Sequence, residues 1–374
     1  MRAERTLNVG MIGCGFIGKV HSFSYLNLPM YYEPPPATIK LLAVCTAHEE
    51  TARAAAERFG YRVATTDFRQ VTDDPDVDVV NICTPNRQHR EQLLAAIAAG
   101  KHIYCDKPLT ASAAEAREVV AAMDGYTGTH QVTFHNRFYP ATLQAKELAD
   151  GGFLGDVLTF RAAYLHAGSV DPDRPFGWRF SKEIAGGGAL YDLGAHTIDL
   201  VRHLVGEFAD VCCATSIAHP DRPSPDDPSK RVPVDADDAA FMLVRTESGA
   251  LGSIESSRTA TGTQDELRFE IHGSRGAMRF NLMDPNWLDV CDLTADRPGW
   301  TRLPTVQDYP GSGGFIPGKA SIGWVRAHVA CLQNFVAAAA RGEPAEPGLD
   351  VGARVQEIMD AGYRSAESGG WVPA

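Results

Sequence analysis

Short apolar runs alternate with polar, alanine-rich segments over the first third of the chain. The apolar runs are rich in β-branched residues and predict strands at Leu7–Ile12, Ile39–Cys45, Val77–Cys83, His102–Cys105 and Gln131–Phe134. Several of the intervening segments have the length and apolar spacing of helices, namely Glu49–Phe59, Arg87–Ala99 and Ser112–Met123. Strands that alternate with helices predict βαβ units and a parallel sheet.

An alternation with a period of two replaces this pattern beyond about Phe134. Apolar Leu267, Phe269 and Ile271 alternate with polar neighbours, which is typical of a half-buried antiparallel strand. Similar strands are predicted at Val157–Tyr164, Ala239–Arg245 and Leu251–Ser257. Helices are predicted at Gly188–Val205, Gly323–Ala340 and Val351–Ser368, and a surface loop at Ala218–Val234. We therefore expect the second part of the chain to be α+β, with a largely antiparallel open sheet.

Length, charge and cysteine content narrow the class of protein. The 374 residues favour two domains, at roughly 100–200 residues each. The formal net charge of −12 argues against a nucleic-acid partner held by bulk charge. No apolar run reaches the ~18 residues that a membrane helix needs. The eight cysteines form no CxxC pair, so we expect reduced thiols in a cytoplasmic protein, and no metal site.

A glycine-rich turn follows the first predicted strand. Gly13, Gly15 and Gly18 fit the pattern G-x-G-x-x-G, and a helix is expected to begin at Phe16 and Ile17. The first glycine permits a tight turn, the second lets the main chain approach a pyrophosphate, and the third lets helix and strand pack closely. The helix N-terminus attracts the phosphate. We therefore predict a Rossmann dinucleotide-binding domain over residues 1–133 and a second domain over residues 134–374, whose C-terminal helices can pack back on the first.

The second strand does not end in the acidic residue that usually binds the ribose of NAD. It is followed by Thr46, whose hydroxyl suits either a ribose hydroxyl or a 2′-phosphate. His48 and Arg53 add positive character, whereas Glu49 and Glu50 oppose a phosphate. The sequence leaves the choice between NAD and NADP open.

Polar residues also follow the strand that ends at Cys83. The carboxyl ends of parallel strands border the ligand crevice in a sheet of this kind. Thr84, Pro85 and Asn86 are therefore expected beside the cofactor, with His89 close behind. A simple Pro-Asn turn without a ligand is the alternative that spacing alone leaves open.

These motifs together resemble those of the Gfo/Idh/MocA oxidoreductases. Thr84–Asn86 with His89 and the segment Cys105–Leu109 follow the glycine-rich turn in the family's order, with Asp106 where the family usually has Glu. The segment Gly188–Asp199 resembles the family's D-x-x-x-H helix. The resemblance extends over nearly the whole chain. Within the family, the aromatic, proline-rich insertion Met30–Pro36 and the segments Trp178–Phe180 and Phe269–Gly273 most resemble dehydrogenases of anhydrosugars such as levoglucosan. Inositol dehydrogenases are more distant.

Two residues depart from the family pattern. Thr46 stands where an acid is common, which affects the preference for NAD or NADP. His135 stands where an Asn often precedes Arg137, which affects local contacts with the nicotinamide or the substrate. Both departures argue against assuming the same sugar as in the relatives.

The resemblance implies that Lys107, Asp192 and His196 are catalytic. Asp192 and His196 are four residues apart, which places both side chains on one face of a helix. When an alcohol is oxidised, a hydride leaves the carbinol carbon while a base takes the hydroxyl proton, and histidine suits that base. Lys107 would polarise the oxygen, and Asp192 would hold sugar hydroxyls or orient the other two. The alternatives are a solvated surface lysine and a structural Asp–His pair.

The resemblance and the side-chain chemistry suggest further contacts. Asp106, Lys107 and Arg137 are expected to touch the cofactor. Aromatic faces and forked donors suit polyols, and the candidate substrate contacts are therefore Lys107, Arg137, Tyr164, His166, Trp178, Arg179, Asp192 and His196. Tyr31 and Tyr32 are candidates to cap the pocket. Packing between domains is the alternative for the candidates that are not catalytic.

We therefore expect an NAD(P)-dependent dehydrogenase that oxidises a secondary hydroxyl of a sugar, an anhydrosugar or a cyclitol. The cofactor is NAD, with NADP as the alternative. A second hypothesis is an NADPH-dependent keto-sugar reductase or a glycoside 3-oxidase of the same fold. A third, from another class, is a non-catalytic dinucleotide-sensing regulator. The resemblance also implies a homo-oligomer, a tetramer or dimer, in which the second domain binds substrate and a sister subunit.

Overall fold

The computed structural model describes residues 5–305, 307, 309, 311–312 and 314–374. From residue 5 to residue 138, helices and strands alternate in the order β1 (Thr6–Ile12), α1 (Phe16–Tyr31), β2 (Thr38–Cys45), α2 (Glu49–Phe59), β3 (Val63–Thr65), α3 (Arg69–Thr72), β4 (Val79–Ile82), α4 (His89–Ala98), β5 (His102–Cys105), α5 (Ala113–Ala121) and β6 (His130–Val132).

Strands dominate the chain that follows. Its elements are α6 (Pro140–Asp150), β7 (Val157–Leu165), α7 (Lys182–Ala185), α8 (Ala195–Val205), β8 (Phe208–Ser216), β9 (Asp221–Pro223), β10 (Arg231–Pro233), β11 (Ala239–Thr246), β12 (Leu251–Ser257), β13 (Glu266–Gly273), β14 (Gly276–Asn281), β15 (Trp287–Asp292), β16 (Trp300–Pro304), α9 (Trp324–Arg341), α10 (Leu349–Ser368) and β17 (Val372–Pro373).

The chain forms two compact units. The first unit combines Met1–Phe138 with Gln307–Ala353, and the second combines Tyr139–Val306 with Arg354–Ala374. Helix α9 therefore belongs to the first unit, where it packs on α1.

The first unit is built on a parallel sheet with the strand order β3-β2-β1-β4-β5-β6. Val9, Met11, Val79 and Ile103 are fully buried, as expected for strands covered on both faces. This order is that of a dinucleotide-binding sheet, whose ligand crevice lies at the carboxyl ends of the strands. The predicted Rossmann architecture is confirmed.

The second unit is built on a sheet with the strand order β16-β15-β14-β13-β7-β12-β11-β8-β17. Strands β7 and β12 are parallel, and the other pairs are antiparallel. The predicted largely antiparallel sheet is therefore confirmed. Helices α6 and α8 pack on one face. On the other face Phe241, Leu243 and Leu251 are about half exposed.

Some local predictions were wrong or incomplete. Strand β3 and helix α3 escaped prediction because they are too short to show a period. Helix α1, expected to begin at Phe16, continues through Pro29 to Tyr31. The predicted loop at Ala218–Val234 contains the hairpin β9–β10, and Arg222 inside it is fully buried with its guanidinium 4.3 Å from the centre of the Phe180 ring.

Candidate active site

The glycine-rich turn joins β1 to α1. Gly13 has a φ of 89° and donates its N–H to the Cys45 carbonyl at 2.8 Å. A Cβ on Gly13 would lie 2.5 Å from the Cys83 carbonyl oxygen, and one on Gly18 would overlap the Gly13 carbonyl. Beyond the chain neighbours of Gly15, no described atom lies within 4 Å of the Cβ position there. The protein's own packing explains Gly13 and Gly18, whereas the space at Gly15 fits a pyrophosphate at the helix N-terminus.

Phe16 and Ile17 begin α1 beside this open space. Phe16 is 71% exposed, and its ring centroid lies 5.7 Å from that of Trp324 in α9 of the same unit. Ile17 is half-buried. Phe16 therefore presents an apolar surface next to the expected phosphate position.

Side chains in the turn after β2 form hydrogen bonds and an ion pair with one another. Thr46 Oγ1 lies 2.6 Å from Thr51 Oγ1 and 2.9 Å from the carbonyl oxygen of His48. The His48 residue is exposed. The Arg53 guanidinium is paired with Glu49 on the surface. Because Glu49 already pairs with Arg53, this turn presents little net positive charge to a 2′-phosphate. The site therefore fits NAD better than NADP.

His89 joins the loops that follow β4 and β5. The ring is fully buried, with Nε2 2.8 Å from the Thr84 carbonyl oxygen and Nδ1 3.1 Å from that of Pro108. Burial lowers the pKa of His89, so the imidazole is neutral near pH 7. Its polar atoms face main chain, and Asn86 beside it is also buried. His89 thus positions Thr84 and Pro108 rather than facing the crevice itself.

Lys107 and Arg137 follow β5 and β6. The N–H of Asp106 donates to the Ile82 carbonyl at 2.8 Å, and Lys107 next to it is half-buried. Arg137 lies in a 3₁₀ turn and is 9% exposed. All three residues lie at the carboxyl edge of the parallel sheet, where a dinucleotide binds.

His135, Tyr31 and Tyr32 have specific partners in the first unit. His135 stacks on His328 of α9, with ring centroids 3.8 Å apart. Tyr31 and Tyr32 surround Arg326, whose guanidinium lies 4.5 and 5.3 Å from their ring centroids. Arg326 also donates to the Tyr32 hydroxyl at 3.1 Å. The tyrosines therefore hold an arginine of α9.

In the second unit, a glycine triplet precedes the segment that carries Asp192 and His196. Gly186 has a φ of 77°, and a Cβ on Gly188 would overlap the main chain of Asp237. The Asp237 carboxylate accepts the N–H groups of Gly188 and Leu190 at 2.9 and 3.0 Å. Asp237 therefore fixes the point at which the helical segment begins.

The helical segment opens with a π-helical turn, Leu190–Gly194, before α8. Asp192 lies in the π turn and His196 in α8, so the predicted continuous α-helix, and the one-face argument based on it, were incomplete. A π turn widens the backbone spiral, and such turns are frequent at functional sites.

Asp192 is held by two guanidinium groups. Arg258 Nη2 donates to Asp192 Oδ2 at 3.1 Å, and Arg179 Nε lies 3.6 Å from the same oxygen. The Arg179 guanidinium also lies over the half-buried Trp178 ring at 4.3 Å. Asp192 is thus an ion-paired carboxylate with 24% of its side chain exposed.

His196 packs beside a hydrogen-bonded cluster on the sheet. His196 is 5% exposed, and the Tyr164 ring meets it edge-on at a centroid distance of 5.7 Å. The Tyr164 hydroxyl donates to Asp265 Oδ1 at 2.7 Å, and His166 Nε2 lies 2.9 Å from that oxygen. Burial raises the pKa of Tyr164 well above its usual value, so the phenol stays a donor.

The predicted residues therefore fall into two groups. The second unit brings together Tyr164, His166, Trp178, Arg179, Asp192 and His196, while Lys107, Arg137 and the predicted cofactor residues belong to the first unit. Sequence reasoning missed Arg258 and Asp265. Their only signal is position, since Arg258 directly follows β12 and Asp265 directly precedes β13.

A metal-binding cluster and a membrane-spanning helix are both absent from the residues that the structure describes. No group of three or more His, Cys, Asp or Glu side chains there is arranged to hold a metal ion. None of the described helices combines the length and the apolar character needed to cross a membrane.

Two family models match the chain. Residues 7–134 match the oxidoreductase family with an NAD-binding Rossmann fold, and residues 142–279 match the GFO/IDH/MocA C-terminal domain. The chain belongs to the Gfo/Idh/MocA family of oxidoreductases. The family resemblance, the enzyme class and the NAD cofactor are therefore confirmed.

Relatives in this family include proteins named as dehydrogenases of levoglucosan and of inositol. Levoglucosan dehydrogenase of Pseudarthrobacter phenanthrenivorans is 38% identical over 98% of each chain. Inositol 2-dehydrogenase of Rhizobium meliloti is 28% identical over 96% of this chain and 97% of its own. A solved levoglucosan dehydrogenase in complex with NADH and levoglucosan is similar with a TM-score of 0.94, at 39% identity over 99% of both chains.

Proposed function

We propose that the chain is an NAD-dependent dehydrogenase that oxidises a secondary hydroxyl of a sugar, an anhydrosugar or a cyclitol to a ketone. The observation that carries the proposal is the pairing, in one short segment, of a buried His196 with an Asp192 held by two arginines. Levoglucosan is the first substrate to test, because a similar dehydrogenase is named for it.

Lys107, Asp192 and His196 are the proposed catalytic residues. NAD, when bound, supplies the hydride acceptor. His196 takes the proton of the substrate hydroxyl, since histidine titrates near neutrality. Asp192 is engaged by Arg258 and Arg179, so it is a poor proton acceptor and instead binds or orients a hydroxyl. Lys107 polarises the reacting oxygen and stabilises the negative charge that develops on it.

The cofactor contacts are proposed on the first unit. The open space at Gly15 and the N-terminus of α1 at Phe16 and Ile17 receive the pyrophosphate. Thr46 and His48 border the adenosine ribose. The nicotinamide end is assigned to the loops after β4, β5 and β6, through Thr84, Pro85, Asn86, Asp106, Lys107 and Arg137. His89 acts through the loops that it joins.

Substrate contacts are proposed mainly on the second unit. Tyr164, His166 and Trp178 provide aromatic and hydrogen-bonding surfaces, and Arg179 provides a forked donor. Such groups suit the ring faces and paired hydroxyls of a polyol. Arg137 and Lys107 are the proposed contributions of the first unit.

The test follows the absorbance of the reduced nicotinamide with purified protein and NAD or NADP, on levoglucosan, glucose, xylose, myo-inositol and a glucoside. Lys107→Ala and His196→Asn are each expected to lower kcat by about a hundredfold to ten-thousandfold. Lys146→Ala on α6 and His203→Asn on α8 are matched controls and should keep full activity. Turnover of a glucoside alone would support the glycoside oxidase. NAD binding without turnover of any polyol would support the regulator.

A homo-oligomer, a dimer or tetramer, is also proposed. What supports it is the open face of the second sheet, where Phe241 and Leu243 of β11 and Leu251 of β12 are each about half exposed. An apolar strip of this kind on a sheet is commonly covered by a partner. A second copy of the chain is the proposed partner, and light scattering of the purified protein measures the stoichiometry.

A further inference from the structure

The connection between β12 and β13 contacts Asp192 directly and reaches His196 through Tyr164. It runs from Arg258 to Asp265 and is held by main-chain hydrogen bonds. Arg258 donates its N–H to the Asp238 carbonyl at 2.8 Å, and Ala260 donates to the His166 carbonyl at 2.9 Å. The segment is therefore a fixed part of the unit, and side chains at its two ends reach the site.

Arg258, at the start of the connection, holds the carboxylate of Asp192. The Arg258 side chain is 8% exposed. Besides Asp192 Oδ2, its guanidinium donates to the carbonyl oxygens of Arg179 and Gly188, each at 3.1 Å. Two of these three acceptors are main-chain atoms. The guanidinium is therefore held in place even if the Asp192 side chain changes its rotamer. Asp192 is thus oriented before any substrate arrives, which is how a preorganised site lowers a barrier.

Asp265, at the end of the connection, binds the tyrosine that packs against His196. Its Oδ1 accepts the Tyr164 hydroxyl at 2.7 Å and lies 2.9 Å from His166 Nε2. Tyr164 is buried and its ring edge packs against His196. A tyrosine ring that is anchored at its hydroxyl cannot swing, so the surface next to the His196 imidazole is fixed.

We infer that Arg258 and Asp265 are positioning residues of the reaction, Arg258 by orienting Asp192 and Asp265 by orienting the Tyr164 ring against His196. The inference rests on the proposed function, because it assigns these residues to the same chemistry. It adds a requirement that one end of the connection supports Asp192 and the other end supports His196.

Kinetics of conservative variants test Arg258. Arg258→Gln is expected to lower kcat on levoglucosan with NAD about tenfold to a hundredfold, with KM changed much less, since small misplacements of catalytic groups cost that much. Arg258→Lys should recover part of the loss, because it restores the charge. Arg245→Gln is the matched control, since Arg245 pairs with Asp210 at 2.9 Å on the same sheet. If Arg258→Gln does not fold, Arg258→Lys carries the test through a lowered kcat at unchanged thermal midpoint.

A double-mutant cycle tests Asp265. Asp265→Asn and Tyr164→Phe should each lower kcat, and the double variant should be little worse than either single one, because both changes release the same ring. A second readout needs no substrate. The Cε1–H resonance of His196, assigned with His196→Asn, should shift in Asp265→Asn because the aromatic ring beside it moves. Asp210→Asn should leave that resonance unchanged.

The outcomes distinguish a failure of the positioning roles of Arg258 and Asp265 from a failure of the proposed dehydrogenase function. Unchanged kcat in Arg258→Gln and Asp265→Asn, alongside large losses in Lys107→Ala and His196→Asn, would overturn this inference and leave the proposed function standing. Full activity in His196→Asn would overturn the proposed function itself. If no polyol is turned over, the His196 resonance still decides whether Asp265 fixes the ring.

Discussion

The main chain of Gly13 lies against the carbonyl of Cys83, so that a Cβ on Gly13 would come within 2.5 Å of the carbonyl oxygen. These residues follow β1 and β4, the two strands at the centre of the first sheet. The glycine at this tight turn is therefore required for the chain segments after β1 and β4 to lie side by side. This requirement holds whether or not a ligand is bound. Gly15, two residues on, has no such restriction.

Substitution at these two glycines should separate folding from binding. Gly13→Ala is expected to destabilise the protein by about 1–3 kcal/mol, because a positive φ and a backbone overlap are both penalised. Gly15→Ala should leave the thermal midpoint within about one degree, yet weaken NAD binding at least about tenfold, because its Cβ occupies the space that fits the pyrophosphate. Thermal unfolding and NADH fluorescence titration measure the two effects. Equal losses of stability in both variants would contradict this division.

Much of the fold could be predicted from local sequence patterns. The glycine turn, strands β1, β2, β5 and β12, and helix α2 follow from apolar periodicity and from the conformations that glycine permits. Such signals lie within a few residues of one another along the chain, so they can be interpreted without knowing the tertiary structure.

The missing parts of the site depend on contacts between distant residues. Tyr164 and Asp265 are 101 residues apart and meet because β7 pairs with β13. The π turn at Asp192 depends on Asp237, whose carboxylate caps it from 47 residues away. Neither relationship leaves a local pattern, and so Asp237 and Asp265 were absent from the predicted site.

Asp237 should prove important for both stability and activity. Its carboxylate accepts two main-chain N–H groups and the Tyr363 hydroxyl, and Asp237→Asn exchanges one of its oxygens for an amide donor. We expect a loss of about 1–3 kcal/mol in unfolding free energy, with lower kcat because Asp192 lies in the turn that it caps. Urea denaturation and NADH production measure both. Asp284→Asn, at an exposed ion pair with Arg302, is the control and should change stability by less than about 0.5 kcal/mol.

Charging the exposed apolar face should dissociate the proposed oligomer. Phe241→Glu places a carboxylate on that face, where Phe241 is 52% exposed. A buried, unpaired charge at an interface costs several kcal/mol, so light scattering should report a lower mass. Leu26→Glu, at a 51% exposed leucine on α1 of the first unit, is the matched control. An unchanged mass in Phe241→Glu would place the interface elsewhere.

His21 should make the protein less stable in mild acid. The ring is buried, with Nδ1 3.2 Å from both Asn81 Nδ2 and Cys83 Sγ, and burial lowers the pKa of His21 to about 4. The unfolded chain, with a histidine pKa of about 6.5, binds this proton first as the pH falls, so unfolding becomes easier between these two values.

The loss attributable to His21 should be about 2 kcal/mol between about pH 7 and about pH 5, by the linkage of proton binding to unfolding. Urea denaturation at the two pH values measures it, and His21→Gln should remove that part of the pH dependence. His89 and His328 are also buried with lowered pKa values, so the wild-type curve contains their contributions as well, and the difference between the proteins isolates His21. His48→Gln, at an exposed position, should behave as the wild type does. An identical pH dependence in His21→Gln would show that the pKa of His21 is the same in the folded and the unfolded protein.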